Sequence, residues 1–235
     1  MKIAYLIEPP FNFHDHAGLV TGCDVELARY VLRELGVADI TFVEAEFADL
    51  LPGLTLGTWQ MTTGLFATQD RRRHAIFSRP IWALPDGVLV RSADVGRITG
   101  YRSLADDDTL TLAVIRDQFQ HMTALEFGVP PDRIVVCDTY LEATRAVHDG
   151  RADAYASVAR AHDGYLEHSR APGLQTVVVP VSEKPPAFGC FGFPTADTAF
   201  RNAVDEVLDA FLGGHEHRKT MKTFGFSDKD IDLVV

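Results

Sequence analysis

The sequence predicts an α/β protein with two lobes, each built from a mostly parallel β-sheet flanked by helices. Three observations lead to this class. β-like runs alternate with amphipathic helical stretches in the first third of the chain and again in the middle third, and this alternation is typical of β-α-β units. A long helical stretch follows near the C-terminus. The length of 235 residues accommodates two domains of modest size.

The first third of the chain supplies one β-α-β unit. Lys2 to Ile7 and Ile40 to Glu44 are predicted to be strands. Between them, Gly22 to Leu35 is predicted to be a helix, because apolar side chains recur there at three- and four-residue steps and Gly36 follows. The next elements are a short helix and two extended segments: Asp49 to Leu54, Met61 to Phe66 and Gly87 to Val90.

The middle third repeats the alternation. Its predicted elements are three strands and an intervening helix: Leu110 to Ile115, Gln120 to Phe127 (the helix), Ile134 to Cys137 and Ala152 to Ala156. Thr139 and Glu142 form a capping-box pattern, in which a hydroxyl and a carboxylate satisfy free amides at a helix start. The helix that begins there is expected to run to about Asp149 and to stop at Gly150.

The last third returns the chain to the first lobe. A β-branched run, Val177 to Val181, leads into Glu183-Lys184-Pro185-Pro186, and Asp197 to Leu212 has the apolar spacing of a helix. We place the crossovers between the lobes at the two extended runs that bracket the middle third. The predicted lobes are therefore residues 1–88 plus 183–235, and residues 89–182.

Composition excludes several classes of function. Lys plus Arg number 22 and Asp plus Glu number 33, which gives a net charge of −11 and a pI near 5.2. Such a chain repels phosphate backbones at long range, so nucleic acid is not expected as a partner. The apolar runs fall short of the roughly 20 residues that cross a bilayer, so the chain is not expected to span a membrane.

Motifs for metal, cofactor or nucleophilic chemistry are missing from the sequence. Cys23, Cys137 and Cys190 share no short spacing and are expected to be buried or half-buried thiols. The two close histidine pairs, His14-Asp15-His16 and His215-Glu216-His217, are expected to be solvated loop residues on extended segments. No nucleophile elbow, phosphate-binding loop or dinucleotide-binding glycine pattern occurs. We therefore predict no metal and no cofactor.

Four stretches in a fixed order carry a family resemblance. They are Glu8-Pro9-Pro10-Phe11 with Gly22-Cys23-Asp24-Val25-Glu26-Leu27-Ala28; Leu50-Leu51-Pro52-Gly53-Leu54; Gly64-Leu65-Phe66-Ala67-Thr68-Gln69-Asp70-Arg71 with Phe77-Ser78-Arg79-Pro80; and Glu142-Ala143 with Asp149-Gly150-Arg151-Ala152-Asp153-Ala154. Together they resemble the bacterial extracellular solute-binding proteins of family 3, which are the type II periplasmic receptors of polar amino-acid ABC importers. The resemblance covers nearly the whole chain.

The resemblance implies a periplasmic-binding-protein-like type II fold, in which the two lobes close on a small ligand. It also implies a membrane permease of an ABC importer as partner, a monomeric receptor and a periplasmic location. The N-terminus, MKIAYLIEPPF, lacks a long apolar core and a small-residue cleavage site. Either this is a mature form with its leader removed, or the protein is cytosolic.

In the family, an arginine grips the ligand carboxylate, because a guanidinium matches two oxygens with a planar fork. Arg71 occupies that place, and a one-residue slip leaves Arg72 as the alternative. The predicted ligand-binding residues come from both lobes: Glu8, Phe11, Trp59, Thr63, Gly64, Phe66 and Arg71 from the first, and Gln118, Phe119, Tyr155 and Ser157 from the second. The aromatic members favour a ligand with a modified cation or an apolar body.

Two departures from the family pattern bear on the ligand. Asp117-Gln118-Phe119 stands where the family has a glycine-threonine-threonine turn at a helix start. Val158 stands where the family has the aspartate that pairs with an α-ammonium group. Either Glu8, Glu183 or Asp117 supplies the negative charge, or the ligand is not a standard α-amino acid.

The predicted function is a non-enzymatic receptor for a small polar carboxylate-bearing solute, either an amino acid or an amino-acid-like compound. One alternative is an enzyme on the same fold, since cyclohexadienyl dehydratases resemble these receptors; its proton donor would be Glu8, Glu183 or His121. A second alternative is a cytosolic ligand sensor.

Overall fold

A computed structural model describes residues 1–169 and 171–235 and confirms the mixed α/β class. In chain order the strands are β1 (Lys2–Tyr5), β2 (Phe13–His14), β3 (Val20–Thr21), β4 (Thr41–Glu44), β5 (Met61–Phe66), β6 (Ile76–Phe77), β7 (Trp82–Leu84), β8 (Asp86–Arg91), β9 (Leu112–Ile115), β10 (Ile134–Cys137), β11 (Ala154–Val158), β12 (Leu174–Val178) and β13 (Ala187–Phe193). The helices are α1 (Cys23–Glu34), α2 (Leu50–Thr55), α3 (Tyr101–Asp106), α4 (Phe119–Glu126), α5 (Tyr140–His148), α6 (Ala159–Ser169), α7 (Thr198–Phe211), α8 (His215–Thr223) and α9 (Asp228–Asp232).

The chain forms two compact units. The first comprises Met1–Ala83 and Phe188–Val235, and the second comprises Leu84–Ala187. The lobe boundaries expected from the sequence, after residues 88 and 182, stay a prediction.

Both units repeat one sheet topology. In the first unit the strand order is β4-β1-β5-β13-β6, with β7 also paired to β13. In the second unit the order is β10-β9-β11-β8-β12. In each, three successive strands joined through helices run parallel, and a further strand, β13 in the first unit and β8 in the second, pairs antiparallel with its neighbours. Four of the five strands in each of these orders run in the same direction, so the sheets are mostly parallel, as predicted.

Local sequence explains most element bounds. Helix α1 buries Val25, Ala28 and Leu32 on one face and is followed by Gly36, which adopts a positive φ of 73°. The Thr139 hydroxyl accepts the Glu142 amide, as the capping-box pattern predicts. The Glu142 carboxylate accepts the N–H of Asp138, however, one residue before the predicted position.

No sequence pattern predicted strands β2, β3, β6, β7 and β13 or helices α3, α6, α8 and α9. Helix α8 overturns the expectation for His215-Glu216-His217, because residues two apart on a helix do not share a face. His217 is fully buried, and its Nδ1 accepts the Gly213 N–H at 3.0 Å. All three cysteines are buried free thiols, in agreement with the prediction.

A second buried histidine, His162 on α6, lies in the core of the second unit. Its Nε2 contacts the carbonyl oxygen of Gly87 at 3.3 Å, which can only accept, so this nitrogen carries the proton. Its Nδ1 therefore accepts the Tyr140 hydroxyl at 2.8 Å. Burial lowers the pKa of His162 to about 3 against the opposing effect of its backbone contacts, so the ring is neutral in the folded protein.

We expect His162 to make the protein acid-sensitive. Between the unfolded-state pKa of about 6.5 and the folded-state value near 3, only the unfolded chain binds a proton at this ring. The free energy of unfolding therefore decreases as the pH is lowered through this range. Going from about pH 7 to about pH 5 should cost wild type about 2 kcal/mol more than His162→Gln, as measured by urea unfolding. His217 and Asp24 titrate in both proteins and cancel in the comparison. Equal losses in the two proteins would contradict this assignment.

Candidate functional site

Most of the predicted binding residues lie at or near the carboxyl ends of the parallel strands in each unit taken by itself; the exceptions are Trp59, which precedes β5, and Tyr155, the second residue of β11. In the first unit, Glu8 and Phe11 follow β1, while Phe66 ends β5 and Arg71 follows it. In the second unit, Gln118 follows β9 and Ser157 lies near the end of β11. Strands β1 and β9 are each flanked by the two strands that follow them in the parallel set. Such points of reversed strand order are where open α/β sheets place ligands.

Arg71 is the buried member of a run of three arginines. Its guanidinium donates to the carbonyl oxygen of Phe66 at 3.0 Å and lies 5.0 Å from the centre of the Phe47 ring. Arg72 is exposed, and its Nε donates to the Ala67 carbonyl. Arg73 forms an exposed ion pair with Asp70. Of the two arginines left open by the sequence, Arg71 is thus the buried one.

Asp24, at the start of α1, organises the strand beside Arg71. Its Oδ2 accepts the backbone N–H of Gly64 at 2.8 Å, and its Oδ1 accepts the indole N–H of Trp82 at 2.9 Å. Burial raises the pKa of Asp24 to about 6, although these two hydrogen bonds act in the opposite direction. Gly64, one of the predicted ligand-binding residues, therefore donates its backbone N–H within the protein.

Close packing around Trp82 explains two glycines. A Cβ at Gly64 would lie 2.7 Å from the Asp24 carboxylate, and a Cβ at Gly189 would lie 2.2 Å from the Trp82 ring. The ring centre of Trp82 is 5.0 Å from that of Phe11 and 5.7 Å from that of Phe66. These three rings form one aromatic cluster, which we call the Trp82 cluster.

The other predicted residues of the first unit have varied surroundings. Thr63 is buried, and its hydroxyl has no hydrogen-bond partner within the described chain. Trp59 packs in the hydrophobic core against Gly53 and donates its indole N–H to the Leu50 carbonyl at 3.0 Å. Glu8 exchanges backbone hydrogen bonds with Asn12 in the turn after β1. Their contact with a ligand stays a prediction.

Gln118 and Phe119 begin helix α4 in the second unit. Gln118 is the N-cap residue and is buried; its side-chain oxygen has no hydrogen-bond partner among residues 1–169 and 171–235. Asp117, just before it, adopts a positive φ of 61°. The Phe119 ring lies 4.9 Å from the Lys184 ammonium, so one cation of the chain already contacts this ring.

A buried carboxylate, Asp86, connects this helix start to two other groups. Its Oδ1 accepts the Gln120 amide at 3.0 Å, and its Oδ2 accepts the Tyr101 hydroxyl at 2.6 Å and lies 3.0 Å from the Lys184 ammonium. Burial and the Asp86 charge raise the pKa of Tyr101 well above its usual range, so the phenol stays protonated as a donor. Asp86 lies directly opposite Val158 in the β8–β11 pairing.

Glu183 has a structural use in this unit. Its carboxylate accepts the backbone N–H groups of Tyr101 at 2.5 Å and Arg102 at 3.2 Å, at the start of α3. A carboxylate stabilises free amides at a helix start, which accounts for Glu183 without a role as an acid catalyst or as a partner for a ligand cation.

Tyr155 and Ser157 lie on β11 and are both buried. The Tyr155 ring is 5.1 Å from Tyr140 and 5.0 Å from His162, in edge-to-face contacts typical of a core. Ser157 pairs with Gly87 across the sheet. Their role toward a ligand also stays a prediction.

Comparison with known proteins decides the family. The model of the bacterial extracellular solute-binding proteins, family 3, matches residues 1–226. The chain belongs to this family. The family and the type II fold expected from the sequence are thereby confirmed.

Relatives of this family 3 protein are binding proteins. It is 29% identical over 240 residues to a probable amino-acid ABC transporter periplasmic-binding protein of Sinorhizobium fredii, a match that covers 100% of this chain and 79% of the relative. The structure of EhuB in complex with hydroxyectoine superposes with a TM-score of 0.89 at 27% identity, covering 99% of this chain and 90% of EhuB. An ancestral amino-acid-binding protein, described as a precursor of cyclohexadienyl dehydratase, has a TM-score of 0.83 at 23% identity, with 95% and 94% coverage, and shows the fold alone.

Family 3 membership makes solute binding rather than catalysis the function of this chain, as predicted. Across residues 1–169 and 171–235, every helix is too short or too polar to traverse a lipid bilayer. Sequence reasoning missed the roles of Asp24, Trp82, Asp86 and Lys184. Asp24 lies within a motif that carries the family resemblance, but no sequence pattern indicated a role for Trp82, Asp86 or Lys184.

Proposed function

We propose that this family 3 protein is the periplasmic receptor of an ABC importer and that it captures a small carboxylate-bearing solute through Arg71. The observation that carries this proposal is the buried Arg71 guanidinium at the carboxyl end of β5, in the same unit as the Trp82 cluster. A buried cation favours an anionic group, and aromatic rings favour a weakly hydrated cation or an apolar body.

We further propose that the solute is amino-acid-like and carries a modified, ring-embedded or quaternary cation. Val158 offers no charge, Asp86 opposite it is neutralised by Lys184, and Glu183 is used at the start of α3. A plain α-ammonium group would therefore need Glu8 or Asp117. The likeness to EhuB, whose structure holds hydroxyectoine, supports a cyclic cation of this kind.

A thermal-shift panel tests the proposal. The panel contains hydroxyectoine, ectoine, glycine betaine, L-arginine, L-glutamine and prephenate. A solute that binds the folded state should stabilise it by about 2.7 kcal/mol at 100 times its Kd, and the shift should grow with concentration. We expect the largest shift from a cyclic or quaternary cation that bears a carboxylate. Failure of every carboxylate to shift the transition, or consumption of prephenate, would refute the proposal.

A further inference from the structure

Asp24 uses its two carboxylate oxygens on two different parts of the first unit. One oxygen holds the Gly64 amide of β5, and the other holds the indole of Trp82 on β7. The side chain is 1% exposed, and within residues 1–169 and 171–235 its remaining polar contact is with the neighbouring Cys23 thiol. No cation pairs with it in the described part of the chain. A carboxylate buried in this way is costly, since its charge is removed from water and met only by neutral donors.

The Trp82 ring joins Asp24 to two predicted binding residues. It lies against Phe11, which follows β1, and against the edge of Phe66, which ends β5. The ring fits there because Gly64 and Gly189 leave its space open. Rotation of the indole would therefore move both phenylalanine rings, and the hydrogen bond to Asp24 opposes that rotation.

We propose that Asp24 and Trp82 are positioning residues of the solute-binding surface in the first unit: they hold Phe11, Gly64 and Phe66 in place without contacting the solute. The expected effect on solute affinity rests on the proposed function. The effect on the positions of Phe11, Gly64 and Phe66 does not, because it can be measured without a ligand.

Asp24→Asn is the sharpest variant. Asparagine has the same shape, but its NH2 group must face either the Gly64 N–H or the Trp82 N–H, and two donors repel. The matched control is Asp153→Asn. Asp153 also accepts several hydrogen bonds, from Thr111 and Arg91, but it lies in the second unit, whereas Asp24 and the two phenylalanine rings to be measured lie in the first.

The first measurement needs no ligand. Phenylalanine ring signals are recorded by NMR in ring-13C-labelled protein, with Phe11 and Phe66 assigned through Phe11→Leu and Phe66→Leu. We expect both signals to shift or broaden in Asp24→Asn and to stay at wild-type positions in Asp153→Asn. Unchanged signals in Asp24→Asn would overturn the inference. If Asp24→Asn fails to fold, Trp82→Phe, which removes the indole donor but keeps a ring, takes its place with the same expectation.

The second measurement is the Kd for hydroxyectoine by titration calorimetry. We expect Asp24→Asn to weaken binding about tenfold, as for a loss of about 1.4 kcal/mol, while Asp153→Asn stays within about twofold of wild type. Wild-type affinity in a folded Asp24→Asn variant would overturn the positioning role. If wild type itself does not bind hydroxyectoine, that solute is rejected under the proposed function, and the NMR measurement decides the positioning role by itself.

Discussion

Replacing Arg71 by methionine is expected to lower the affinity for a carboxylate solute by about 2 to 5 kcal/mol, roughly 30-fold to 4,000-fold in Kd. The side chain is 8% exposed, so its charge acts through little water. Methionine keeps the apolar stem against Phe47 but removes the fork of donors, which leaves the solute's carboxylate without its cation. Titration calorimetry with the best solute of the thermal-shift panel measures the change.

Two neighbouring substitutions control for charge and chain position. Arg73→Met removes an exposed arginine that pairs with Asp70, and it should leave the Kd within about twofold of wild type. Arg72→Met tests the alternative anchor. A large loss in Arg72→Met together with full affinity in Arg71→Met would transfer the role to Arg72.

The largest expected loss of stability follows Lys184→Met. Removal of the ammonium leaves the Asp86 carboxylate buried, with only the Tyr101 and Gln120 donors, and breaking a buried pair in this way costs about 3 to 5 kcal/mol. The methionine stem can still pack, so the loss reflects mainly the unpaired charge. Urea unfolding, followed by circular dichroism, measures the difference in the free energy of unfolding.

Lys222→Met is the matched control for this effect. The Lys222 ammonium lies 2.8 Å from the Asp228 carboxylate, close to the 3.0 Å between Lys184 and Asp86. The side chains of Lys222 and Asp228, however, are both about half exposed. That substitution should cost at most about 1 kcal/mol. In addition, Asp86→Asn combined with Lys184→Met should be less damaging than the sum of the single changes, because no charge is left unpaired. A cost for Lys184→Met no larger than that of Lys222→Met would disprove the buried-pair argument.

Local patterns were sufficient to predict elements whose signals lie within a few residues. Strands β5 and β10 have the predicted bounds, since their β-branched and apolar runs are sharply terminated. The Thr139 cap was predicted because the hydroxyl and the amide it accepts are three residues apart. Helix α6 was missed because its run of alanine, charged residues and histidines has little apolar periodicity.

In the candidate site, too, a local pattern predicted some features and could not predict others. A short motif singled out Arg71, with Arg72 as the alternative, as the residue that binds the carboxylate. It could not predict that Arg71 is buried while Arg72 and Arg73 are exposed, because three arginines in a row have the same local sequence signal. Gly64 was predicted to contact a ligand, and that contact stays a prediction. In the structure, Asp24 and Trp82 fill the space that a side chain would need at this position.

By itself, the sequence determined the family and the α/β class, because motif order and apolar periodicity are local properties of the chain. Only the tertiary structure decided which buried charges are already used within the protein. Along the chain, Asp24 is 40 residues from Gly64 and 58 from Trp82. Asp86 forms an ion pair with Lys184 although most residues of the second unit lie between them in the sequence. Hydrogen bonds and ion pairs depend on distances in space, and the folding of distant segments onto one another sets those distances.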